Sequence, residues 1–115
     1  MTKQEAFDTV LSKVKEHGFG WDAKARQCRY LTEDGKRCAI GWLASEEVLQ
    51  QIKNELCSFD SLSRDIKESF GLDFAFLQSL QTAHDNGAEL GVHVFQDGMR
   101  VVATKYALEY KNDSN

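Results

Sequence analysis

Cys28-Arg29-Tyr30-Leu31-Thr32-Glu33-Asp34-Gly35-Lys36-Arg37-Cys38-Ala39-Ile40-Gly41 admits two readings, and the choice between them decides whether strands join an otherwise helical chain. In the first, Cys28, Tyr30 and Thr32 share one parity and Glu33-Asp34-Gly35-Lys36 makes a polar turn, which predicts a short β-hairpin. A two-residue turn at Asp34-Gly35 then sets Cys38 opposite Leu31 and Cys28 opposite Gly41. In the second, Asp34 caps a helix that begins near Lys36 and holds Cys38 in its first turn. The two readings differ in chemistry. A helix N-terminus beside Lys36 and Arg37 lowers the Cys38 thiol pKa, whereas burial on a strand raises it.

Outward from this block the pattern is helical. Thr2 and Glu5 form a capping-box pair, and Phe7, Val10, Leu11 and Val14 recur at helical spacing until Gly18. Phe19-Gly20-Trp21 makes an aromatic connection in which Trp21 covers the end of the core. Ser45 caps a helix with Glu46 and Glu47 in its first turn and Val48, Leu49, Ile52 and Leu56 on one face. A Ser/Asp-rich break at 58–63 precedes a short helix through Leu62, Ile66 and Phe70 that Gly71 ends. Asp73 starts another, through Leu77, Leu80 and His84 to Gly87. The last helix runs from His93 to Tyr110, with Phe95, Met99, Val102, Tyr106 and Tyr110 as its stripe. The expected fold is mainly α with a short β-hairpin (α+β), a single compact domain of about four to five helices over residues 1–115.

Composition excludes several classes. A chain of 115 residues with 42% hydrophobic and 28% charged residues fits one globular domain with a single small core. No apolar run approaches the ~20 residues that span a bilayer, and the N-terminus has no signal-like region, so the expectation is a cytoplasmic protein with no membrane association. Fourteen basic against eighteen acidic residues, a formal charge of −4, with no cluster of cations interleaved with aromatics, disfavours nucleic acid as a partner. Three cysteines without a secretory signal are expected as reduced thiols.

Candidate chemistry is sparse. Cys38 follows two basic residues and His84 offers a base, which makes this pair the weak candidates for a thiol enzyme. Asp85 is badly placed to orient His84, because adjacent helical side chains point about 100° apart. Zinc would call on Cys28, Cys38, Cys57 and His84, but intervals of ten, nineteen and twenty-seven do not present ligands in local pairs. His17 and His93 complete no phosphohydrolase-like ligand set with His84-Asp85. The glycines around 18–20 and 35–41 lack the spacing of a phosphate cradle. No metal or cofactor is therefore expected.

The residues Cys28, Tyr30, Gly35, Arg37, Cys38, Ala39 and Gly41, followed by Leu80, Gln81, His84 and Asp85, resemble a pattern of small uncharacterised bacteriophage and prophage proteins. The likeness covers roughly residues 5–108. It departs from that pattern at Leu43-Ala44-Ser45-Glu46, where a proline-containing helix start is usual. No activity attaches to the pattern. The resemblance implies a small accessory protein that binds a bacterial host or defence-system protein stoichiometrically, as an inhibitor in host takeover or counter-defence, in the manner of anti-CRISPR proteins. Tyr30, Glu33, Asp34, Lys36 and Arg37 around the turn are the expected contacts, with Trp42 as aromatic anchor. The alternatives are the Cys38/His84 thiol enzyme and a module that binds a small ligand or nucleotide.

Overall fold

The first helix, α1 (Lys3–His17), forms where its capping pair predicts. The Thr2 hydroxyl accepts from the Glu5 amide at 3.0 Å, and the Thr2 amide donates to the Glu5 carboxylate at 2.7 Å. Together these satisfy two N-terminal amides that the helix itself leaves open. They also hold the Glu5 carboxyl below the usual range. The computed structural model describes residues 1–55 and 59–110. Leu56, Cys57 and Ser58 lie outside the described residues, so the place of Leu56 on the expected helix face, a ligand role for Cys57 and the start of the 58–63 break fall there.

Among the described residues, six helices and one two-stranded antiparallel hairpin follow in the order α1, β1 (Trp21–Asp22), β2 (Gln27–Cys28), α2 (Ala39–Leu43), α3 (Glu46–Ile52), α4 (Arg64–Ser69), α5 (Phe74–Leu90) and α6 (Val92–Lys105). A single 3-10 turn spans Phe59–Ser61. The molecule is thus mainly α with a short hairpin, as expected. Ser45, Ser63 and Asp73 cap α3, α4 and α5 by accepting from Val48, Ile66 and Ala75 amides. The radius of gyration, 13.0 Å, equals the roughly 13 Å of a compact domain this long. No helix among the described residues is long and apolar enough to cross a membrane.

The hairpin lies earlier in the chain than expected. Trp21 pairs with Cys28 and Asp22 with Gln27, around a turn at residues 23–26. Asp22 makes that turn, since its carboxylate accepts from the Lys24 and Ala25 amides at 3.1 and 3.2 Å and Arg26 adopts a positive φ of 52°. The turn at Asp34-Gly35 also forms, closed by Thr32 N–H to Lys36 C=O at 2.8 Å, with Gly35 at φ 87°. It does not continue into a strand. Cys38 becomes the N-cap of α2, so residues 39–43 are helical and Cys28 faces Trp21 and not Gly41.

Helix α5 runs past Gly87 to Leu90, and Gly91, at φ 116°, makes the break instead. Gly87 meets Phe95 and Gly98 meets Ala83, so α5 and α6 pack antiparallel across a one-residue link. Helix α6 ends at Lys105, short of the predicted Tyr110. Ala107 takes a positive φ of 56°, and the chain turns back on α1, where the Gln4 side chain bonds both backbone groups of Glu109. Tyr106 packs on Phe76 and Tyr110 on Phe7, edge to face. Two clusters result. Phe7, Val10, Phe76, Leu80, Phe95 and Met99 form one, and Tyr30, Ile40, Leu49, Ile52, Phe59 and Leu77 the other, with Leu43 and Leu72 touching both.

Candidate functional site

The motif residues converge on Gly20, which the sequence marked only as part of a connection. Its C=O accepts from Arg29 N–H at 3.0 Å and its N–H lies 3.2 Å from both Arg37 O and His84 Nε2. A Cβ here would fall 2.4 Å from the Arg37 carbonyl carbon, so only glycine lets the three strands of backbone meet. His84 is fully buried. Because Nε2 accepts from Gly20, the ring proton is on Nδ1, which donates to Asp85 Oδ1 at 3.0 Å. This corrects the expectation for Asp85: the helix separates the two Cβ directions, but the carboxylate folds back beside its neighbour. The same oxygen accepts from Gln81 Nε2 at 2.8 Å. Gln81 also donates to Cys28 Sγ at 3.2 Å and accepts from Ile40 N–H at 3.0 Å.

This His-Asp pair is therefore a structural tie between α5 and the 20–40 segment. Its one basic nitrogen already holds a backbone amide, so His84 has no open lone pair with which to take a proton from a nucleophile. Cys38 is fully buried, and burial pushes its thiol pKa up, with the Asp85 carboxylate adding to the effect. The amides of Gly41 and Ile40 act in the opposite direction and lose. Cys38 stands at a helix start, as the second reading has it, but desolvation outweighs the N-terminal field and raises the thiol pKa, as the first has it. Cys28 is disulfide-bonded, which corrects the expectation of three reduced thiols; an odd count leaves one cysteine over and does not forbid a bridge. Cys38 keeps its thiol. Among the described residues no three His, Cys, Asp or Glu side chains gather around a point that could hold a metal ion.

The expected contact residues divide. Tyr30 is fully buried in the second cluster, which corrects its placement as an exposed contact; its alternation with Cys28 pointed inward and not to solvent. Glu33, Asp34 and Lys36 are exposed, and Arg37 is half-buried. Thr32 fixes the turn beneath them: its hydroxyl bonds Asp34 and accepts from Lys36 N–H at 2.9 Å. The Thr32 hydroxyl, aided by Lys36, holds the Asp34 carboxyl below the usual range. Trp42 is half-buried between cations, described further below.

Beside the turn lies an open groove of about 650 Å³ that no sequence pattern announces. The hairpin contributes Trp21, Asp22 and Arg29, the turn Leu31, Glu33 and Asp34, and the end of α3 Lys53. Asp22 and Arg29 pair across it at 3.4 Å. The Ala25 amide first, then Arg29 and the Lys24 amide, keep Asp22 ionised to low pH. Lys53 and Glu33 have no ion-pair partner among the described residues. Set against known proteins, the chain matches no family model, no curated protein and no solved structure.

Proposed function

We propose that this chain acts by binding a protein stoichiometrically and without catalysis, through the rigid turn at 32–37 and the groove beside it. One observation carries the reading: the groups that could do chemistry are buried in structural bonds, while Glu33 and Lys53, without ion-pair partners among the described residues, and the half-buried Trp21 lie together on the turn and groove. Loops held on a rigid scaffold favour recognition, because little conformational entropy is lost on docking. The resemblance to small phage and prophage proteins makes the partner a bacterial host or defence-system protein met in the cytoplasm, and the role one of inhibition or counter-defence. The thiol-enzyme reading loses weight, since a buried thiol with a raised pKa supplies almost no thiolate near neutral pH.

Affinity capture from bacterial lysate with the wild type and with a Glu33→Lys/Lys36→Glu variant tests the proposal. A partner held by the wild type and lost by the variant is the expected outcome. Capture of nothing by either, together with a thermal shift on adding a nucleotide, would move the groove to the small-ligand reading; its volume falls within the roughly 300–1,000 Å³ of such sites.

A further inference from the structure

The indole of Trp42 collects cations in a chain whose net charge is −4. Lys13 Nζ lies 5.1 Å from the ring and Arg37 Cζ 4.8 Å, and the His17 imidazole stacks on it at 5.1 Å with 26° between planes. Two elements and a loop meet here: α1 supplies Lys13 and His17 one turn apart, the segment before α2 supplies Arg37, and α2 supplies the indole. The Trp42 Nε1–H is buried and meets no acceptor among the described residues, so the ring is held through its faces and not by a hydrogen bond. The Lys13 ammonium and the Arg37 guanidinium present only donors at this spot.

The opposing carboxylates are few and loose. Glu46 reaches Arg37 at 3.8 Å with 72% of its side chain exposed, and Glu16 contacts His17 at 3.3 Å with 58% exposed. Contacts so exposed add little stability and exchange readily with a competitor. Lys13 has no carboxylate partner among the described residues, although it is half-buried. An ammonium held partly out of water over an indole face keeps unused hydrogen-bonding capacity on its outer side.

From this we infer that the Lys13–Arg37–Trp42 cluster is the docking point for an acidic segment of a partner polypeptide. A carboxylate of that segment bonds Lys13 and Arg37, displacing Glu46, and an apolar neighbour lies on the exposed edge of the indole. The inference rests on the binding reading above and names the chemistry of its partner. Charge complementarity of this kind adds specificity and rate of encounter.

The test is fluorescence anisotropy of labelled twelve-residue peptides of alternating Glu and Leu, beside the Gln/Leu counterpart and a single-stranded oligonucleotide of equal charge. The Glu/Leu peptide binds, and binding weakens with added salt and by at least about tenfold in Lys13→Gln/Arg37→Gln, the loss expected from charge-assisted hydrogen bonds. Lys13→Gln alone, on a half-buried surface residue, gives an intermediate loss and guards against misfolding, and the thermal melt of each variant is compared with wild type. Equal binding of the Gln/Leu peptide, tighter binding of the oligonucleotide, or unchanged affinity in the double variant would overturn the inference. If the peptide fails while a lysate partner is still lost in Glu33→Lys/Lys36→Glu, only this inference falls; if both fail, the binding reading falls with it.

Discussion

Cys38 shows how one residue's environment reverses its expected chemistry. Its position before α2 offers amides that favour a thiolate, yet complete burial favours the thiol, and burial wins. Two outcomes follow. In native protein near pH 7.5, iodoacetamide modifies Cys38 slowly, and addition of denaturant speeds the reaction; rapid native modification would restore the enzyme reading. The raised pKa also sets a sign for stability. Below about pH 8.5, where the unfolded thiol is protonated, the contribution is complete. As pH rises beyond that, the unfolded chain sheds the proton while the folded chain keeps it, so stability falls by up to about 1.4 kcal/mol per pH unit. Denaturant melts from pH 8 to 10 should show this decline in the wild type and a shallower one in Cys38→Ala.

Helix α5 illustrates an element whose local and tertiary demands conflict. Glycine at position 87 costs a helix about 1 kcal/mol relative to alanine and read as a terminus in the sequence. In the fold it is the close-approach point of α5 and α6, where an added Cβ would lie 2.4 Å from Phe95 Cβ and 2.9 Å from the Phe19 ring. Overpacking against a backbone-anchored atom costs about 1–3 kcal/mol, which exceeds the gain in propensity. Gly87→Ala is therefore expected to lower the melting temperature by several degrees. Gly98→Ala, whose nearest neighbour is the Ala83 Cβ at 3.0 Å, should change it less, because the gain in helix propensity offsets a milder crowding. A Gly87→Ala protein as stable as wild type would contradict this packing.

At the scale of the whole molecule, Gln81 of α5 ties three elements: it accepts from Ile40 N–H of α2, donates to Cys28 Sγ of the hairpin and donates to Asp85 on its own helix, while Leu43 and Leu72 bridge the two clusters. Gln81→Leu keeps the volume and leaves a buried amide without its acceptor, at a cost of about 1–3 kcal/mol. Hydrogen exchange should quicken at the Ile40 amide and leave α6 unchanged; uniform quickening would mean a global effect instead. Helices α1 and α3 and the start of α5 were legible from their caps, since a Thr, Ser or Asp side chain bonds an amide two or three residues away and needs nothing else, and α4 was legible from apolar spacing alone. The turn at Asp34-Gly35 was legible for the same reason. The hairpin at 21–28 was not, because its strands are two residues each and too short for alternation to register. The candidate site was legible only in part: Glu33, Asp34 and Lys36 stood out as turn residues, but no local signal distinguishes Lys53, Lys13 or Trp21 from other surface positions. The sequence by itself determined where α1, α3 and α5 start, through interactions within one turn of chain, and left residues 39–43 open between strand and helix. Only the tertiary structure decided that Tyr30 is core, that Gly20 receives His84, and that Lys13 and Arg37 share one indole, because burial and long-range contact depend on which distant surfaces pack together.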